Sequence, residues 1–444
     1  MSDESGTALA DVFREEWPLL IGAALRIVGD LQTAEDVVQE TVLTALDRWP
    51  LQGVPDRPGA WLMTACRNRA RNVVRDSGRA RRAIALIPSS AAEPHPGDTD
   101  PASGSGVIGD DRLRLIAMCC HPALTADAQV AMTLRMVCGL TTEEIARGCH
   151  LPTPAVAQRI VRAKRVLREC DAAFVTDEPD VRSRLSAILD VIYLVFNEGY
   201  LAAVGDTLTR GDLAFEAYCL ACLVTELIAS EPEPWALRAL IAFQLSRWAT
   251  RTSEDGAILT LDQQDRAQWN QELIADGVRA LDRARAGQAV LPWGDDLPGP
   301  PAGPLLLQAE LAACHSTSAS FDATDWHAIV AIYDRLQHVQ DTPVVAMNRA
   351  VAVAMRDGPG TALPLLDRLA TDPALAGSHR VWAVRADLYC RLGDRAAASA
   401  DYERALKLVT NHAERRYIEA ALRRMAGRLP EHHHNRRAET DAAR

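Results

Sequence analysis

Along most of this chain apolar residues recur at spacings of three and four, and few stretches alternate polar with apolar as half-buried strands do. The pattern predicts an all-α protein made of successive helical units. A first unit spans residues 10–82. It holds an apolar-rich helix from Trp17 to Val28, a second from Thr33 to Trp49, a loop from Pro50 to Pro58, and a long helix from about Gly59 onward. Thr33 and Asp36 have the spacing of a capping box, with Asp where Glu or Gln is usual, and mark the start of the second helix. Residues 83–109, rich in Pro, Gly, Ser and Asp, bury too little surface to offset ordering entropy and read as a flexible linker. A second unit, 110–172, ends in a helix–turn–helix: Thr142 to Cys149, a turn at His150 to Pro152, then Thr153 to Arg168. Pro154 falls in the first helical turn, where proline is tolerated.

From 180 to 427 helix follows helix, beginning with Leu185, Ile188, Leu189, Ile192, Val195 and Phe196 at helical spacing. Residues 379–411 fit the 34-residue tetratricopeptide pattern through Trp382, Ala386, Tyr389, Gly393, Ala398, Tyr402 and Ala405, while Arg385 and Thr410 depart from it. A weaker copy runs from Val344 to Leu369 around Gly358, Ala362 and Leu366. Residues 428–444 read as a disordered polar tail.

Composition agrees with a helical chain of several domains: 444 residues, 48% hydrophobic and only 5% aromatic. Charge changes the picture more. The net formal charge of −11 argues against a nucleic-acid protein until its distribution is read. From Arg57 to Arg82 eight arginines face the single acid Asp76, and Thr153 to Arg168 carries five bases and no acid. Between them, residues 83–111 hold Glu93, Asp98, Asp100, Asp110 and Asp111 with no Lys or Arg. Two basic patches are thus separated by an acidic tether. The amino terminus is acidic where a signal peptide would be basic, and no apolar run is long enough to span a bilayer, so the expected location is cytoplasmic with no membrane partner. Ten cysteines are far from disulfide-scaffold density and read as reduced thiols.

The helix Thr153 to Arg168 turns Val156, Ile160, Ala163 and Leu167 to one side. Gln158, Arg162 and Arg165 share the opposite face with Arg159 beside it, a set suited to reading base edges in a major groove. The basic helix after Trp61 presents Arg67, Asn68, Arg71 and Arg75, suited to a distorted or single-stranded backbone. In TAEDVVQETVLTAL, Val38, Val42 and Ala45 face inward, leaving Glu35, Asp36, Gln39 and Glu40 outward, either as an ordinary solvated face or as a dock for a basic partner. Cys119, Cys120 and His121 with Cys149 and His150 lack the two-plus-two spacing of a zinc site, and Cys219 and Cys222 sit in an apolar run that reads as core, so no metal and no cofactor is expected. Glu198 in FNEGY, and Asp262, Asp265 and Arg266 in DQQDR, read first as structural ion pairs and second as a ligand groove.

TAEDVVQETVLTALDRW, PGAWLMTACRNRARNVVR and LTTEEIARGCHLPTPAVAQRIVRAKRVLR resemble, in order, regions 2.2, 2.3 to 2.4 and 4.2 of bacterial extracytoplasmic-function (ECF) sigma factors. The segments VFNEGY, LDQQDRAQW and DTPVVAMNRAVAVAM resemble the subgroup with a long carboxy-terminal tetratricopeptide-like extension. The resemblance implies region 2 at 10–82, region 4 at 110–172 and the extension at 180–427. It implies that Asp36, Gln39 and Glu40 grip the clamp helices of the β′ subunit of core RNA polymerase. The helix carrying Trp61, Arg67, Asn68, Arg71, Asn72 and Arg75, with the preceding loop, would melt and hold the −10 element of promoter DNA, capturing an unstacked base. Asn72 stands where the family signature has Asp. Gln158, Arg159, Arg162 and Arg165 would read the −35 element, and the acidic linker would thread toward the polymerase active site.

The expected protein is therefore a non-catalytic initiation subunit, the polymerase supplying the chemistry, since no phosphate-binding loop or nucleophile constellation appears. The extension would bind a protein or peptide and regulate the whole, its 37 acidic against 28 basic residues after position 172 competing for the DNA-binding faces. The alternatives are a one-component helix–turn–helix regulator with a ligand-sensing carboxy-terminal domain, and an enzyme housed in the extension.

Overall fold

A computed structural model of the chain describes residues 2–85, 111–149, 151–170, 178–202, 209–253, 259–290, 302–375, 377–409 and 412–425. Every regular element among the described residues is a helix, and none is long and apolar enough to cross a membrane. The expected linker, apart from 83–85, and the expected tail at 428–444 lie outside the described residues, as do His150 and Thr410. The chain divides into two compact units, residues 1–200 with 208–227, and residues 201–207 with 228–444.

In the first unit α1 (Ser2–Val28), α2 (Leu31–Gln52) and α3 (Pro58–Ala85) pack around Leu20, Ile21, Leu25, Val38, Leu62 and Cys66, all buried. Helix α2 starts earlier than the capping-box spacing suggests. Asp30, in extended backbone, accepts from the Thr33 N–H at 2.8 Å and from its hydroxyl at 2.7 Å. Asp30 is therefore the cap and Thr33 the third helical residue; a carboxylate placed after the left-handed Gly29 offers the better acceptor. The helix also runs through Pro50, and Gly53, at φ +85°, closes it by donating to the Trp49 carbonyl at 2.9 Å. The loop expected from Pro50 shrinks to residues 53–57.

Next come α4 (Asp111–Cys119), α5 (Ala126–Met136), α6 (Thr142–Gly148) and α7 (Thr153–Glu169). A complete capping box starts α6: the Glu144 N–H donates to Thr141 Oγ1 at 3.1 Å and the Thr141 N–H to Glu144 Oε2 at 2.7 Å. The inner face of α7 is as its spacing predicts, with Val156, Ile160, Ala163 and Leu167 buried. Asp111, counted above with the acidic tether, opens α4 and pairs with Arg26 of α1. The helices α8 (Glu178–Ser183), α9 (Leu185–Ala202) and α10 (Thr209–Leu227) belong largely to this same unit, α10 packing on α6. The compact units thus divide later than the boundary near residue 180. Cys219, expected in the core, is exposed on α10, and Cys222 is half-buried.

The second unit is an array: α11 (Pro232–Ser246), α12 (Gln271–Val290), α13 (Pro304–Ser316), α14 (Trp326–Val339), α15 (Pro343–Asp357), α16 (Pro359–Leu369), α17 (His379–Leu392), α18 (Arg395–Leu408) and α19 (His412–Met425). Each packs against the next in sequence, the mark of a quasi-one-dimensional stack. The α17–α18 hairpin turns on Gly393 at φ +80°, with Ala386, Ala398, Tyr402 and Ala405 buried in its seam. Arg385, the departure from the repeat pattern, lies over the Trp382 ring at 5.0 Å and pairs with Asp401 at 3.2 Å and Asp367 at 3.4 Å. A guanidinium there gains partners that leucine would not. The α15–α16 hairpin turns on Gly358, burying Ala362 and Leu366.

Where α11 and α12 cross, a Cβ on Gly277 would meet the Phe243 ring at 2.7–3.0 Å. Gly277→Val should therefore cost about 1–3 kcal/mol by overpacking, seen as faster amide hydrogen exchange in α11 and α12 of the full chain.

Candidate nucleic-acid and polymerase interface

Helix α2 presents Asp36, Gln39 and Glu40 on one exposed face. Asp36 accepts from Gln32 Nε2 at 3.0 Å, and Glu40 pairs with Arg69 of α3. The face continues into Leu43 and Leu46, 59% and 44% exposed, which the sequence reading missed. Leucines seven and ten positions after Asp36 stay on its side of a helix, so two exposed apolar side chains extend the acidic row. The signal was there as apolar residues outside the buried stripe of Val38 and Ala45.

Glu35 is a correction. It was expected outward, yet it is 3% exposed and joins α2 to α5 and α7. Arg135 of α5 donates to its Oε1 from Nε at 3.0 Å and from Nη2 at 2.6 Å, and Lys164 of α7 pairs with its Oε2. Arg135 also donates to the Leu140 carbonyl at 3.0 Å and lies over the Trp17 ring at 5.5 Å. Lys164 reaches Gln32 at 3.0 Å, and Arg168 lies 3.6 Å from Asp30. Burial alone would raise the Glu35 carboxyl; Lys164 and Arg135 together hold it below its ordinary value.

On α3, Arg67, Asn68, Arg71, Asn72 and Arg75 are all exposed. Asn72, in the position of the family's Asp, accepts from Arg75 Nη2 at 2.8 Å. Trp61 differs: it is half-buried and meets the Trp49 ring edge-on at 5.5 Å, with Phe13 stacked on the far side of Trp49 at 5.6 Å. It anchors the loop more than it presents a stacking face. Leu51, 86% exposed, precedes that loop, and Val54, 57% exposed, lies within it.

On α7, Gln158, Arg162 and Arg165 are exposed, whereas Arg159 is half-buried and tied to Asp127 at 3.2 Å. Arg165 pairs with Glu169, 3.5 Å away along its own helix. Val161, 66% exposed in the middle of this polar face, was also missed. Glu198 of α9 lines a cavity of about 200 Å³ with Asp127, Cys149 and Arg159, so it sits beside the tied-back arginine rather than in an ion pair. Cys119 and Cys120 are buried, burial pushing the Cys120 thiol up to about 12, and no group of three or more metal-ligating side chains occurs among the described residues.

Replacing Glu35 by Ala would leave two buried cations facing each other, at a cost of about 3–5 kcal/mol. The urea midpoint of the chain should fall, and Lys164→Met on that background should recover part of the loss. Because the folded carboxyl lies below its unfolded value of 4.5, its contribution is complete above that pH and disappears as the pH falls through the folded value. The difference between wild type and Glu35→Ala should therefore shrink on acidification.

Residues 12–80 match sigma-70 region 2, residues 114–167 match sigma-70 region 4, and residues 184–285 match a family of unknown function (DUF6596). An uncharacterised protein of Rhizobium meliloti (strain 1021) is 36% identical over 413 residues, 92% of this chain and 94% of its own length. The ECF RNA polymerase sigma factor SigL of Mycobacterium tuberculosis is 30% identical over 175 residues, 38% of this chain and 94% of SigL. Among solved structures, yeast Tom70 matches at 10% identity with a TM-score of 0.29, over 94% of this chain and 83% of that one, a likeness that establishes no shared fold. With region 2 on α1–α3, region 4 on α4–α7 and nearly the whole of SigL covered, the chain belongs to the extracytoplasmic-function sigma factors of RNA polymerase, with a long helical carboxy-terminal extension.

Proposed function

We propose that this chain directs core RNA polymerase to promoters, working in the cytoplasm, with α2 docked on the β′ clamp helices, α3 on the −10 element and α7 on the −35 element. The observation that carries the reading is the exposed basic face of α7, which follows a well-capped α6 and offers Gln158, Arg162 and Arg165 around Val161. Polymerase would supply the chemistry. The α2 surface adds an acidic row and two exposed leucines suited to a partly basic helical partner. On α3, Asn68 and the arginines meet the sugar–phosphate backbone, while Leu51 and Val54 offer apolar contact to a base leaving the stack.

Two elements named for positions −10 and −35 are separated by on the order of 80 Å of duplex at 3.4 Å per base pair. While Glu35 holds Lys164, and Asp30 lies beside Arg168, α2 and α7 are in direct contact and two cations of α7 are turned toward α2. Promoter engagement thus requires this clasp to open. A regulatory role for the extension is supported by α8–α10, which share a compact unit with region 4 and set Glu198 near Arg159.

Leu43→Asp, at an exposed site with little folding cost, should weaken co-elution with core polymerase at least about tenfold. Tight duplex binding without polymerase, and no effect of Leu43→Asp, would favour a one-component regulator instead. Arg165→Ala and Val161→Ala should each relax sequence preference at one or two positions of the −35 element, by about 1–3 kcal/mol for the arginine, whereas Arg71→Ala should weaken binding across sequences and flatten its salt dependence. Promoter-variant binding curves at two salt concentrations separate these outcomes.

A further inference from the structure

The segment 259–269 of the second unit carries Asp262, Asp265 and Arg266, which the sequence gives first as structural ion pairs and second as a ligand groove. It is a rigid strap held by its own bonds: Arg266 Nη1 donates to the carbonyls of His315 at 2.6 Å and Ser318 at 2.8 Å, and Trp269 Nε1 donates to Thr250 Oγ1 at 3.0 Å. Asp265 caps the short turn after it, accepting from the Ala267 N–H at 3.0 Å. Asp265 and Arg266 are thus structural, and the strap delivers Asp262 to the rim of a cavity of about 300 Å³. A second cavity of about 290 Å³ adjoins it, sharing Thr260, Asn348, Val384 and Asp387.

Several carboxylates of the array have arginine partners: Asp276 with Arg238 at 2.7 Å, Glu310 with Arg285 and Arg335 at 3.1 Å, Asp334 with Arg349 at 2.6 Å and Glu414 with Arg380 at 3.1 Å. Of the two that line this cavity, Asp262 is exposed and forms no ion pair among the described residues, and Asp387 is held by the hydroxyls of Tyr402 and, at 3.1 Å, Tyr417. Arg391, which also lines the cavity, donates to Met355 Sδ at 2.8 Å and, with Arg424, acts on Asp387 through its charge without a close salt bridge. Opposite stands an aromatic wall in which Trp326 meets His315 and Phe321 edge-on, each at 5.5 Å, with Tyr333 on the same helix. Burial, with Arg247 and Arg266 nearby, pushes the His315 imidazole down to about 4, so it is neutral at neutral pH and adds no competing cation. Burial raises the Asp387 carboxyl against the opposing pull of the Tyr402 and Tyr417 hydroxyls and of Arg391 and Arg424, and a bound cation would add to that pull.

We propose that this cavity is a binding site for an organic cation, an ammonium or guanidinium group on an apolar body, with Asp262 and Asp387 taking the charge and Trp326, Phe321 and Tyr333 the body. The cation is either a free small amine or a side chain of a peptide. Calorimetric titration of the full chain with phenethylamine, 2-phenylethanol, 3-phenylpropionate and the peptide acetyl-Ala-Phe-Lys-Ala-amide tests it without any promoter readout. At least one of the two cationic probes should bind at least about tenfold more tightly than the alcohol or the acid. Asp262→Asn, at an exposed position, should remove most of that preference, and Asp387→Asn the same where its melting temperature shows it folded. Tighter binding of the peptide than of phenethylamine identifies a protein source, and the reverse a small molecule. Failure of both cationic probes to bind, equal binding of the acid, or an Asp262→Asn chain that keeps the full preference overturns the proposal.

Discussion

One buried carboxylate holds the promoter-reading part of this protein together. Glu35 has a side chain only 4% exposed and is met by a guanidinium from α5 and an ammonium from α7. A charge so buried is stable only while its partners stay. Around it gather contacts that need α1–α3 and α4–α7 in register: Arg26 with Asp111, Arg168 with Asp30, and Gly139 against Trp17, where a Cβ would stand 3.2 Å from the ring. Beside these polar and small-residue contacts, α1 packs directly on α4 and α5. The polar part of this interface is replaceable, because water and DNA phosphates can take the place of each charge partner once the helices part.

The same arrangement sorts the basic residues of α7 by task. Lys164 and Arg168 point toward α2, Arg159 is tied to Asp127, and Arg162, Arg165, Gln158 and Val161 stay open to solvent. In the closed chain only part of the cationic face is available to DNA. On the proposed reading, holding Lys164 against Glu35 takes one cation away from nonspecific duplex binding, since counterion release scales with the number of phosphates neutralised.

The helices themselves were legible because their apolar spacing is regular: the buried stripe of α7 is the one its sequence shows, and so is the hairpin seam of Ala386, Ala398, Tyr402 and Ala405. Basic Arg and Asn positions on α3 were likewise found outward. What a local pattern does not contain is the partner of a polar residue. Glu35 reads as solvated because its partners lie 100 and 129 positions away. Asp30 displaces Thr33 as cap because cap choice depends on which acceptor the preceding turn delivers. Leu43, Leu46 and Val161 were overlooked for a different reason, since an amphipathic reading assigns every apolar residue to the core and has no place for one that faces water. The strap at 259–269 belongs to neither class: its polar run makes sense only beside the aromatic wall of α14.

The central claim is that α2 and α7 are clasped in the free chain and part on the promoter. Fluorescent dyes carried on unnatural amino acids at positions 47 and 169, both exposed, report their separation by single-molecule energy transfer. The free chain should give one short, narrow distance, replaced by a much longer one when core polymerase and promoter DNA are added. An unchanged distance in the promoter complex, or a broad spread in the free chain at neutral pH, would contradict the account.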